Sequence, residues 1–117
     1  MPIAVLQVLN VFAATISTVS SLLVVLQPQI MSKSQEISAG ERFFAQMYAA
    51  RAVPFGIVTA VVPFVAASDV VTVRLVLMAA MAVQIVDAGI GFRRRERAMI
   101  VGPSIAAIIH GTMAWYA

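Results

Sequence analysis

Cysteine is absent from this chain and histidine occurs once. The first absence removes disulfides, thiol redox chemistry and cysteine–zinc sites together. The second leaves little from which to build a transition-metal site, since imidazole and thiolate are the usual ligands. Neither a metal nor a cofactor is expected. Charge is scarce too: 11% of the residues are charged, against ~25% in a soluble domain. No Gly-rich phosphate loop, nucleophile elbow or HExxH-type spacing is present.

What is present is apolar. Of 117 residues, 62% are hydrophobic, and the mean hydropathy is +0.97. A soluble domain is ~45–50% apolar, so a water-soluble globule is excluded. One crossing of the hydrocarbon core takes ~20 apolar residues. Four crossings consume most of the chain, and residues 1–117 read as a single integral membrane domain, an all-α bundle of four transmembrane helices. The net charge of +3 and pI near 10.2 would suit nucleic acid in a soluble protein. Here the positive charge is concentrated in one short turn, the mark of a cytoplasmic loop, and no nucleic-acid partner is expected.

The spans fall at about 3–26, 41–66, 70–92 and 98–116. The first lacks a basic leading segment and a small-residue cleavage site, so it reads as a retained helix. Gln27-Pro28 ends it, and residues 27–40 form the only long polar stretch. The second carries Pro54 and Pro63, where lost backbone bonds predict a kink. Ser68-Asp69 resembles an N-cap for the third. RRRER at 93–97 is a tight turn, and Pro103 is tolerated in or just after the first turn of the fourth. Loops one and three hold Lys33, Arg42, Arg93, Arg94, Arg95 and Arg97. The positive-inside rule therefore places both loops in the cytoplasm and both termini on the outer side.

Three ionisable residues, Arg51, Asp87 and His110, lie inside these apolar runs. Such a group near the bilayer centre costs at least ~2.5–3.5 kcal/mol on insertion scales and marks a functional site by default. From the cytoplasmic helix ends, Arg51 lies ~15 Å in, His110 ~18 Å and Asp87 ~8 Å at 1.5 Å per residue. Arginine leans toward the helix N-terminus, so an Arg51–Asp87 ion pair is expected, with His110 joining through its ring or water. Tyr48, Arg51 and Phe55 share one stripe of the second helix, and Gln84 shares the face of Asp87. Gln7, Asn10, Ala14, Ser17 and Ser21 form a polar, small-residue seam on the first helix that should face the bundle.

These residues admit two uses. Arg51 and Asp87 can simply hold helices together, with His110 a satisfied core residue. Alternatively they line a polar pocket in which Asp87, His110 and Arg51 are catalytic while Tyr48, Gln84, Asn10 and Phe55 bind substrate. An acid, a base and a dry pocket suit proton-transfer chemistry without a cofactor, such as isomerisation, cyclisation or epoxide opening of a lipophilic small molecule. A non-catalytic accessory or structural subunit, as a homodimer or in a larger membrane complex, is the alternative. A proton-coupled small transporter ranks third. Small multidrug transporters of this length carry an essential glutamate in mid-helix one, where residues 3–26 have no acid.

Three short motifs, YAARAVPFG (48–56), QIVDAGIGF (84–92) and AAIIHGTMAWY (106–116), resemble the small four-helix membrane proteins of the DoxX-like group. The resemblance covers about two thirds of the chain and rests on Arg51, Asp87 and His110. It implies a four-helix integral membrane bundle and no particular reaction. The chain is expected in the bacterial inner (plasma) membrane, with membrane lipids as neighbours.

Overall fold

The computed structural model describes residues 3–33 and 35–117, with the side chains of 31 and 32 left aside. It is all-helical. α1 spans Ile3–Leu26, α2 is a single turn at Gln29–Ser32, α3 spans Ala39–Val65, α4 Val70–Arg94 and α5 Arg97–Tyr116. Apart from α2, each is long and apolar enough to cross a membrane. The four long helices define the all-α transmembrane bundle expected from composition. Their outer faces carry large apolar side chains such as Phe12, Phe64, Leu75 and Ile108, each more than half exposed. Apolar surface of this extent suits a lipid surround.

Local chemistry sets the helix ends. Ser38 Oγ accepts from the Glu41 N–H at 3.0 Å, which starts α3 two residues before Glu41. Asp69 caps α4 by accepting from the Thr72 N–H and hydroxyl at 3.2 and 2.6 Å. The hydroxyl and amide bonds of Thr72 hold the Asp69 carboxyl below the usual carboxylate range. Arg95 closes α4 in the left-handed conformation at φ 57°, and α5 begins two residues later. α2 occupies part of the stretch read as a loop. α3 is helical through Pro54 and Pro63, and α5 through Pro103.

α1 packs against α3 and α4 against α5 along much of their lengths; α1 also meets α5, whereas α3 and α4 touch sparingly. Glycines permit the two tight pairings. A Cβ on Gly56 would overlap Thr18 Oγ1 on α1, and one on Gly91 would lie 2.6 Å from the Met99 backbone on α5. Leu6, Val73, Leu77, Met113 and Ala114 form a dry core. It lies near the end holding the start of α1, the end of α5 and the α3–α4 turn, hereafter the terminal end. The opposite, loop end holds the α1–α3 loop and the α4–α5 turn.

Candidate functional site

The most deeply enclosed polar group in the bundle grows from a proline. Pro63 has no N–H, so the carbonyl of Thr59, four residues earlier, loses its helical donor. Asn10 of α1 supplies the missing bond, its Nδ2 donating to Thr59 O at 2.9 Å. A carbonyl can only accept, so this bond fixes the orientation of the Asn10 amide. Asn10 Oδ1 therefore faces His110 Nδ1 on α5, 2.7 Å away. That oxygen accepts too, so His110 carries a proton on Nδ1. Asn10, Thr59 and His110 are no more than 2% exposed. The relay ties α1, α3 and α5 together.

A second polar contact lies nearer the loop end. Gln84 Nε2 of α4 donates to Ser17 Oγ of α1 at 3.0 Å. Thr18, Ser21 and Thr59 return their hydroxyls to carbonyls of their own helices, at 2.7–2.8 Å. The seam on α1 does face inward: Asn10, Ala14 and Ser21 are buried, and Gln7 and Ser17 half-buried.

The common pocket expected for Arg51, Asp87 and His110 is not what the bundle builds. Gly91 lies against Met99 and Gly111 against Met81, which puts His110 level with about residue 80 of α4. Asp87 is then about seven residues, ~10 Å, farther toward the loop end. Arg51 lies eight residues from Thr59 on α3, ~12 Å toward the loop end. Arg51 and Asp87 thus share a level, well removed from His110. The expected ion pair is also absent among the described residues. Arg51 is exposed, and its Nη1 donates to the Met47 carbonyl one turn back, at 3.2 Å.

Asp87 instead has Tyr48 of α3 within electrostatic reach. Both are half-buried, as is Phe55. Tyr48, Phe55 and Val62 recur every seven residues on one stripe of α3, and Val62 packs against the core cluster that holds Val73 and Leu77 of α4, so the stripe turns toward α4, with Arg51 beside it. Asp87 occupies the corresponding flank of α4. No hydrogen bond joins the Asp87 carboxyl to any described residue. α3 and α4 meet sparingly, and these residues border the lateral seam between them.

Two concavities lie elsewhere. An open apolar groove of about 570 Å³ runs between α4 and α5, bordered by Met81, Ile85, Ala107, Ile108 and Gly111. A smaller one of about 140 Å³ sits at the terminal end, between Gln7, Pro63, Val73 and Met113. Neither contains Arg51, Asp87 or His110. Among the described residues no group of three or more His, Cys, Asp or Glu side chains is placed to hold a metal ion. Sequence reasoning took Pro63 only as a kink and passed over Thr59, although their spacing of four was the available signal: a proline frees the carbonyl one turn before it. No protein-family model, characterised protein or solved structure matches the chain.

Proposed function

We propose that this integral membrane protein is an acid–base enzyme of the isomerase, cyclase or epoxide-opening type. It acts on a lipophilic small molecule that reaches the α3/α4 seam from the bilayer. One observation carries the reading: the half-buried Asp87 carboxyl sits within an apolar span without a hydrogen-bond partner among the described residues. Such a placement is costly and is characteristic of working groups. Asp87 is the proton-transferring residue, and Tyr48 faces it across the seam as a hydroxyl donor to the substrate. Phe55 offers an apolar wall. All three reaction types are redox-neutral, so a carboxyl that gives and regains one proton suffices.

His110 takes a different part from the one first expected. At ~10 Å from Asp87 along the bundle axis it shares no proton with that carboxyl, and its bond to Asn10 makes it a member of the framework. Gln84 and Asn10 likewise spend their amides on Ser17, Thr59 and His110.

The test is solvent-proton incorporation. Membranes containing the protein are incubated in D2O with a lipid extract of the source cells, and lipophilic products are followed by mass spectrometry. Wild type forms a deuterated isomer or adduct; Asp87→Asn lowers its rate by ~10²–10⁴-fold, the usual share of a positioned acid or base. Equal product from both proteins, or none above empty membranes, sinks the reading.

The α4/α5 groove favours the second reading, an accessory subunit. Small residues such as Ala107 and Gly111 at its border let another helix approach closely. That reading expects co-purification of a stoichiometric partner in mild detergent. A lone, stable and active species counts against it. The DoxX-like resemblance fits either reading, since it brings no reaction with it.

A further inference from the structure

Arg51 is the one cation in the middle of a span, and its guanidinium is barely used. Five N–H donors are available on an arginine, and a single bond, to the Met47 carbonyl, is made to described residues. That bond draws the side chain toward the loop end. α3 has 27 residues, or ~40 Å, against a hydrocarbon core of ~30 Å. The carbonyl of Met47 lies ~12 Å from the helix start, so the guanidinium is held several ångströms inside the hydrocarbon boundary. It is exposed at the rim of the seam that holds Tyr48, Phe55 and Asp87. A charge so placed and so little satisfied suits an anion that arrives with an apolar tail.

We infer that Arg51 binds the oxyanion head, a carboxylate or phosphate, of an amphiphile whose tail lies in the α3/α4 seam. The planar fork of the guanidinium matches both heads bidentately. The head docks at the rim, on the loop side, and the tail runs past Phe55 toward the terminal end. Its first carbons then pass the level of Asp87. This assignment rests on the reading of the seam as the site of chemistry, and it names the substrate class there.

The experiment is photo-crosslinking in nanodiscs with three probes bearing a diazirine on the chain: palmitic acid, phosphatidic acid and hexadecanol. Palmitic acid is expected to label α3 and α4 peptides roughly ten-fold more than hexadecanol, the worth of one charge-assisted hydrogen bond. Labelling by phosphatidic acid as well would identify a bilayer lipid as the source of the head; labelling by the free acid alone would identify a single-chain amphiphile. Either outcome upholds the oxyanion site. Arg51→Gln removes the preference, and Arg51→Lys, which keeps the charge and guards against a folding defect, retains part of it. Arg97→Gln, in the loop-end turn, leaves it intact. Equal labelling by the alcohol overturns the inference. So does an unchanged preference in Arg51→Gln, or an equal loss in Arg97→Gln, which would reduce the effect to attraction by the basic turn. Loss of the preference alongside Asp87-dependent deuteration means a neutral substrate; a preference without deuteration means binding without that chemistry.

Discussion

The side-chain amide of Asn10 donates to the carbonyl of Thr59 at 2.9 Å, filling the place of the helical N–H that Pro63 lacks. In water a proline-freed carbonyl is solvated at little cost. In a bilayer it must find a donor within the protein. Asn10 is that donor, and satisfying the carbonyl orients the amide so that its oxygen faces His110. A backbone defect on α3 therefore sets the ring tautomer on α5.

This coupling can be measured. Asn10→Ala leaves the Thr59 carbonyl and the His110 N–H without partners and should cost ~1–3 kcal/mol in reversible unfolding from detergent micelles. In a Pro63→Ala background the restored N–H satisfies Thr59, so Asn10→Ala should cost less, with an interaction energy of ~0.5–1.5 kcal/mol. Strict additivity of the two substitutions would refute the relay.

Two glycines on α4 should respond in opposite directions. A Cβ on Gly91 meets the Met99 carbonyl carbon at 2.6 Å and its oxygen at 2.7 Å, and backbone does not step aside. That carbonyl is the one Pro103 leaves without a helical donor, so α4 and α5 approach closely where the glycine allows it. Gly91→Ala should lose ~1–3 kcal/mol through overpacking. Around Gly89 a Cβ meets nothing within 4 Å. Gly89→Ala should gain up to ~1 kcal/mol of helix propensity. Thermal melts of the two variants in one detergent decide the matter.

The α4 cap predicts an acid dependence. Hydrogen bonds from Thr72 lower the Asp69 pKa in the folded protein. Its stabilisation is thus complete above the unfolded value, ~3.9, and is lost as pH falls through the lower folded value. Asp69→Ala should melt below wild type at pH 7, with the gap narrowing progressively below pH ~4. A gap that stays constant across that window would mean that the carboxylate charge contributes nothing to the cap.

The absence of native cysteine makes sidedness directly testable. The basic residues of the α1–α3 loop and α4–α5 turn lead us to expect the loop end in the cytoplasm. In intact cells a membrane-impermeant maleimide should label Ala117→Cys and spare Gln35→Cys until the membrane is opened. The reverse pattern would invert the orientation.

The spans were legible because length and apolarity are local properties. Runs of 20 to 27 residues with few charges leave the backbone no option in lipid but to satisfy itself along a helix. Interruptions at Gln27-Pro28, Ser68-Asp69 and RRRER mark where the helices stop. The inward turn of the α1 seam was legible for the same reason, since polar and small residues recurring every three or four positions can escape lipid only by facing protein. The depth estimates, counted separately from each helix end, did not translate into contacts. Arg51 and Asp87 do share a level, yet one bonds its own helix while the other has Tyr48 within electrostatic reach.

Composition and periodicity, then, determined a four-helix membrane bundle and the inward turn of its polar seam. They left open which helices are close neighbours and how each is rotated about its axis. Those followed from contacts between helices: Gly56 against Thr18, Gly91 against Met99, and Asn10 reaching the carbonyl that Pro63 abandons. Tight pairing of α1 with α3 and of α4 with α5 leaves α3 and α4 only a sparing contact. Asp87 borders that seam whereas His110 is buried against Asn10, because where a side chain lands around the bundle depends on the shapes of two facing surfaces, and spacing along one chain does not encode both.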